Sequence, residues 1–171
     1  MSSRKKVFHY AIITASDTAA AGEREDLSAK VIRDLIEPLD YVLGSYTLLP
    51  DDRTMLEKQL MLLCDSVDAV DLILTTGGTG LSPRDCMPEA TLAIADRQVP
   101  GIAEAVRANG ARFTKRAMLS RGVAVIRKHT LIINLPGSPK AVEENLSFLV
   151  DQLDHALGIL SGRDGDCARK D

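Results

Sequence analysis

The chain has 171 residues, 45% of them apolar and 26% charged, with a net charge of -3. A chain of that length buries roughly 70% of its unfolded surface, so it needs no disulfide or metal staple, and the acidic balance with dispersed Lys and Arg argues against a nucleic-acid surface. Cys64, Cys86 and Cys167, like His9, His129 and His155, sit at no pairing or ligand spacing, which argues against a disulfide framework and structural zinc and favours a reducing, cytoplasmic setting. The start reads as a solvated tip, Arg4-Lys5-Lys6, before an apolar run too short for a secretory leader, and no stretch reaches membrane-spanning length. Residues 7–14 (VFHYAIIT) are rich in β-branched and aromatic types and predict a strand. Beyond a polar loop, Leu27, Val31 and Leu35, with Ile32 and Ile36 beside them, fall at helical spacing that Pro38 ends. Residues 41–49 (YVLGSYTLL) predict a second strand, and PDDRT opens a helix with Leu56, Leu60, Leu63 and Val67 on one face. VDLILTT is short and continuously apolar, as buried parallel strands are. Residues 88–96 and 102–111 predict helices, 130–137 a strand, and Val142, Leu146, Leu149, Leu153 and Leu157 the stripe of a last helix. The end, SGRDGDCARKD, has no periodicity, and 162–171 are expected to fray. This alternation implies one α/β domain, a three-layer arrangement of a mostly parallel sheet with helices on both faces.

In such folds ligands bind beyond the carboxyl ends of the strands. Four loops are therefore candidates: ASDTAAAGEREDLS (15–28), PDDR (50–53), TTGGTGLSPRDCMPEAT (75–91) and LPGSPKA (135–141). Each joins a strand's end to a helix start, where free N–H groups and the positive dipole end suit phosphate. Glycines let backbone approach a ligand closely. Asp51, Asp52 and Asp85 add carboxylates that repel phosphate unless a cation such as Mg²⁺ lies between them. Gly77-Gly78-Thr79-Gly80 lacks the Gly-Lys-Ser/Thr ending of a P-loop, and Pro83 stands where a dinucleotide fingerprint needs its third glycine. Alone, the glycine run fits a tight turn equally well, Asp51 and Asp52 fit helix caps, and Ser138 before Pro139 fits a helix N-terminus. The case for a site is that all four loops carry the same kind of residue.

TTGGTGLSPRDCMPEATLAIADRQVPG, with LLPDD before it and AMLSRGVAVIRKHTLIINLPGSPKAV after it, resembles the molybdopterin adenylyltransferase family. That family includes the bacterial MogA and MoaB proteins and the G domain of gephyrin. ADRQVPG and LSRGVAVIRK lie closest to the MogA side, and the resemblance spans about residues 12–157. It implies a step of molybdenum cofactor biosynthesis: adenylylation of molybdopterin from Mg-ATP, with release of pyrophosphate. It further implies a homotrimer and hand-over to a molybdate-inserting enzyme, while the charge balance and the lack of a membrane-spanning stretch argue against a nucleic-acid or membrane partner. The family's functional aspartates fall on Asp51 and Asp85, which are expected to hold Mg²⁺ and the leaving group. Substrate and nucleotide contacts fall on Thr76, Gly77, Gly78, Thr79 and Gly80, on Ser16 and Asp17, and on Pro136, Gly137 and Ser138. Arg84 reads equally as a phosphate partner or a surface residue. A phosphate nucleophile is ionised at neutral pH, so no His or Cys base is required. Two alternatives stand beside this reading: a non-catalytic molybdopterin-binding or scaffold protein, and another nucleotidyl or phosphoryl enzyme reusing the loops.

Three departures from the family pattern bear on activity. Met87 stands where a Thr caps the helix, so either Asp85 caps it or the helix starts more weakly. Ala29 replaces the Gly of Asp-x-Ser-Gly and would be strained at a positive φ. Gly110 and Thr114-Lys115 replace Ser and Thr-Pro, which removes a Ser contact to substrate. Ile102, Val106, Phe113, Met118 and Leu119 form a surplus apolar face expected to make subunit contacts.

Overall fold

Six strands form one sheet in the order β2-β1-β3-β6-β5-β4. The computed structural model describes residues 7–162, so the basic tip at 4–6 and all but Gly162 of the stretch expected to fray lie outside the described residues. The strands are β1 (His9–Ala15), β2 (Val42–Leu49), β3 (Leu72–Thr76), β4 (Arg97–Gln98), β5 (Ala124–Arg127) and β6 (Thr130–Leu135). β2, β1, β3 and β6 run parallel, while β5 and β4 add an antiparallel margin. The helices are α1 (Asp17–Ala20), α2 (Leu27–Ile36), α3 (Arg53–Asp65), α4 (Met87–Ala93), α5 (Pro100–Ala111) and α6 (Pro139–Leu160).

Alternation along the buried strands sorts their side chains to two cores. Ile12, Leu72, Leu74 and Ile133 meet α2, α5 and α6 on one face. Ala11, Ile13, Ile73 and Ile132 meet α3 and α4 on the other. This is the expected three-layer arrangement. Its central strand β3 is wholly buried, which explains its unbroken apolar run.

Several expectations shift in detail. On α2 the buried residues are Ser28, Ala29, Ile32 and Ile36, and Leu27 is exposed. On α3 the face is Leu56, Leu60 and Cys64, while Val67 lies past the helix end and is fully exposed. Ile102 and Val106 pack against the core, which leaves Phe113, Met118 and Leu119 as the exposed apolar group. Ala29 lies inside α2 and its N–H donates to Asp26, so the expected strain is absent. β4 and β5 were not expected at all.

The antiparallel margin is tied to α3 by charge. Arg127 donates from Nη2 and Nε to the two oxygens of Asp65 at 2.6 and 3.1 Å, and Lys128 Nζ lies 2.9 Å from Oδ1. These two cations hold the Asp65 carboxyl down at about 2, against an ordinary 3.8. The native state therefore binds fewer protons than the unfolded chain between those values, so stability rises with pH across that window. The melting-temperature advantage of wild type over Asp65→Asn should be complete above about pH 4 and shrink as pH falls toward 2. A pH-independent difference in thermal melts would contradict this.

Candidate functional site

The four parallel strands deliver their loops to one edge of the sheet, and hydrogen bonds tie those loops to one another. Ser16 N–H donates to Leu49 O at 2.9 Å, Thr76 Oγ1 to Pro136 O at 2.6 Å, and Ser28 Oγ to Gly137 O at 2.9 Å. Gly77 and Gly78 turn the chain out of β3 at φ of 86° and 64°. A Cβ on Gly77 would lie 2.1 Å from Ala15 O, so only glycine passes between the first and third loops.

Asp51 and Asp85 close on this glycine turn. A Cβ on Gly78 would meet Asp51 Oδ1 at 2.9 Å, and one on Gly80 would meet Asp85 Oδ2 at 2.8 Å. Both aspartates line a cavity of about 330 Å³, together with Thr14, Ser16, Gly77 and Ser138. Asp17 and Asp51 brace each other: Asp51 N–H donates to Asp17 Oδ1 at 2.9 Å and Asp17 N–H to Asp51 Oδ2 at 3.2 Å. Arg84 forks onto Asp17 with bonds of 3.0 and 2.9 Å. That fork holds the Asp17 carboxyl below its usual range, whereas burial pushes Asp51 up.

One atom stands out in this cluster. Asp51 Oδ1 is buried and has no hydrogen-bond partner. A buried carboxylate oxygen without a partner is costly, and a cation removes that cost. Among the described residues no three His, Cys, Asp or Glu side chains converge on one metal position. Mg²⁺ does not need them, because it is typically held by one or two carboxylates plus water and phosphate oxygens. Asp51 and Asp85 fit that donor set.

A second cavity of about 380 Å³ lies across Gly78, Asp85 and Gly137, which line both. Its other walls include Val106, Gly110 and Leu119 with Arg107, Arg116, Glu144 and Asn145, so it is a largely apolar slot that also carries two cations, a carboxylate and an amide. A Cβ on Gly110 would lie 2.9 Å from the Ala117 Cβ. The small residue at 110 thus lets the 3₁₀ turn Lys115–Leu119 close over α5, and Thr114 caps that turn.

The other expected site residues divide by what holds them. Thr79, Gly80 and Pro136 line the second cavity. The hydroxyls of Ser16 and Ser138 cap α1 and α6 by accepting from Ala19 and Ala141 N–H, both at 3.2 Å. Thr76 is fully buried and lines neither cavity; its hydroxyl joins the third loop to the fourth. Asp85 does not cap α4, since its Oδ2 accepts from Ser82 N–H at 2.9 Å. The α4 start has no side-chain cap, and Met87 is instead a buried core residue whose N–H donates to Gly78 O. Sequence reasoning missed Thr14 and Arg107, which line the cavities, and Arg121, which grips the third loop from behind. For Arg121 the only signal was its place in LSRGV.

Residues 11–155 match the family described as "Probable molybdopterin binding domain". The chain is 37% identical over 162 residues to the molybdopterin adenylyltransferase of Helicobacter pylori (strain J99), covering 92% of this chain and 90% of that relative. It is 41% identical over 157 residues to the molybdopterin adenylyltransferase of Haemophilus influenzae, covering 88% and 78%. Among solved structures, the molybdopterin biosynthesis enzyme MoaB of Thermus thermophilus superposes with a TM-score of 0.86 at 47% identity, covering 91% of this chain and 98% of that one.

Proposed function

The chain belongs to the molybdopterin-binding family that contains the molybdopterin adenylyltransferases, and we propose from this that it joins the adenylyl group of ATP to molybdopterin with release of pyrophosphate. It is a nucleotidyltransferase of molybdenum cofactor biosynthesis. The observation that carries the mechanism is the buried, unpartnered Oδ1 of Asp51, a residue that lines a cavity with Asp85, with a second cavity across their common wall.

Both reactants are anionic phosphates, so the site must bring like charges together and align them. Asp51 and Asp85 would hold Mg²⁺, which neutralises phosphate charge when bound. Gly77, Gly78 and Gly80 carry no side chain to block close approach of phosphate to the backbone. Gly137 and Ser138 open α6, whose long dipole ends there on its positive side. Catalysis then rests on positioning and electrostatics, with no proton to abstract. Incubation with molybdopterin, ATP and Mg²⁺ should release pyrophosphate only when all three are present. Molybdopterin binding by calorimetry without pyrophosphate would support the non-catalytic reading instead. The relatives' names, over most of the chain, do not favour that reading.

Assembly and setting follow from the same reading. Phe113, Met118 and Leu119 form an exposed apolar group beside the second cavity, and we assign it to subunit contact in a homotrimer. Light scattering should return three times the 18.5 kDa chain mass, and a monomer mass in dilute solution would contradict the assignment. No described helix is long and apolar enough to cross a membrane. Work in the cytoplasm as a single molybdopterin-binding domain, with hand-over of product to a molybdate-inserting enzyme, completes the proposal.

A further inference from the structure

We infer that Arg121 is a positioning residue for the transfer: it clamps both ends of the 80–85 loop and so holds the Asp85 carboxylate against the glycine turn. This rests on the role proposed for Asp85. Arg121 lines neither cavity, so it acts through the loop and not on a bound ligand.

The bonds carry the inference. Arg121 N–H donates to Thr79 O at 2.9 Å. Its Nε donates to Gly80 O at 2.7 Å, its Nη2 to Asp85 O at 2.8 Å, and its Nη1 to the Glu89 carboxylate on α4. One planar guanidinium thus fixes the first residue of the loop, the last, and the helix that follows. Asp85 Oδ2 lies 2.8 Å from where a Gly80 Cβ would be. The separation of Gly80 from Asp85 is the distance that Arg121 sets.

Little else holds that loop. Leu81, Ser82, Pro83 and Arg84 are exposed, so apolar burial does not anchor it. Inside it are three bonds, all on Ser82: its N–H donates to Asp85 Oδ2, its carbonyl accepts from Asp85 N–H, and its hydroxyl accepts from Arg84 N–H at a long 3.4 Å; α4 starts without a side-chain cap. Arg84 ties the loop's outer side to Asp17 through exposed groups. The Arg121–Glu89 pair is the better shielded of the two ties, with side chains 33% and 41% exposed against 62% and 43% for Arg84 and Asp17.

Lysine at 121 keeps a charge for Glu89 but cannot reproduce a fork to two carbonyls. For Arg121→Lys we expect kcat to fall on the order of 10-fold or more, because small misplacements of reacting groups are costly, with KM for molybdopterin little changed. Without substrates, hydrogen exchange at amides 79–87 should accelerate. In an Asp85→Asn background, Arg121→Lys should remove little further turnover, since both changes act through one carboxylate. A merely structural arginine predicts the opposite: equal losses in both backgrounds, or a lower melting temperature with kcat unchanged. Either result overturns the inference, as does unchanged loop exchange. If Arg121→Lys does not fold, Glu89→Gln tests the same clamp with a smaller expected loss and the same non-additivity. Absence of pyrophosphate release from wild type would strike the transferase reading alone, and the exchange measurement would still judge the clamp.

Discussion

Asp85→Asn and Asp51→Asn are expected to lose turnover on the order of 10²-fold or more while keeping most of the affinity for molybdopterin. Asparagine preserves size and one carbonyl oxygen, so at position 85 it can still accept the Ser82 N–H bond. What it removes is charge. A loss in rate with an unchanged melting temperature therefore reports on the carboxylate's work during the reaction, not on loop structure. Asp51 sharpens the test because its two effects differ in sign. Burial, with Asp17 and Asp85 nearby, raises its carboxyl above the ordinary 3.8. A raised folded value means that the native state binds more protons, so stability falls as pH rises through the window above 3.8. Asp51→Asn should thus be no less stable than wild type at neutral pH without Mg²⁺, and far less active with it. Thr79→Ala should be milder than either, since the backbone N–H groups of the turn remain. Turnover and melting temperature should be measured on the same samples across a Mg²⁺ titration. Unchanged turnover with intact Mg²⁺ dependence would remove that aspartate from the catalytic set.

Gly77→Ala should destabilise the fold by more than about 3 kcal/mol, a size reserved for specific mechanisms such as backbone strain and overpacking. Two penalties coincide there. A left-handed backbone costs a non-glycine residue about 1–2 kcal/mol. The new Cβ would also lie 2.1 Å from Ala15 O, a backbone atom at the end of β1 that moves only if the first loop moves. Gly22 supplies the control: its φ is 77°, yet nothing lies within 4 Å of its added Cβ. Gly22→Ala should therefore cost only about 1–2 kcal/mol, the strain alone. Urea midpoints of the two variants separate strain from collision, and equal shifts would show that the first loop yields freely.

Much of this architecture was legible because it is periodic. The α6 stripe Val142, Leu146, Leu149, Leu153 and Leu157 is buried at every position expected. The four loops were legible because a polar segment, carrying glycine in all but PDDR, followed each parallel strand. The antiparallel margin was not. β4 is two exposed residues, and the β5–β6 hairpin turns through Lys128 at φ 52°, where turn chemistry leads one to seek Gly or Asn. Val67 continued a spacing past the point where α3 stops at Asp65. At the site, Asp51, Asp52 and Asp85 were marked as carboxylates in strand-end loops, and the family resemblance singled out Asp51 and Asp85. Arg121 was invisible for a physical reason: it acts on backbone carbonyls, which every residue has, 41 and 36 positions away in the chain.

The wall shared by the two cavities bears on what happens after the bond forms. Gly78, Asp85 and Gly137 line both chambers, so on the proposed function the joined product would span neighbouring chambers. Tethering turns the second half's binding into an intramolecular event with a high effective concentration. In the proposed reaction the joined product is that tethered ligand, and it leaves more reluctantly than either reactant. On the proposed hand-over, product release is then the step that a downstream acceptor would accelerate, so adding such an acceptor should raise steady-state turnover more than it raises the first turnover.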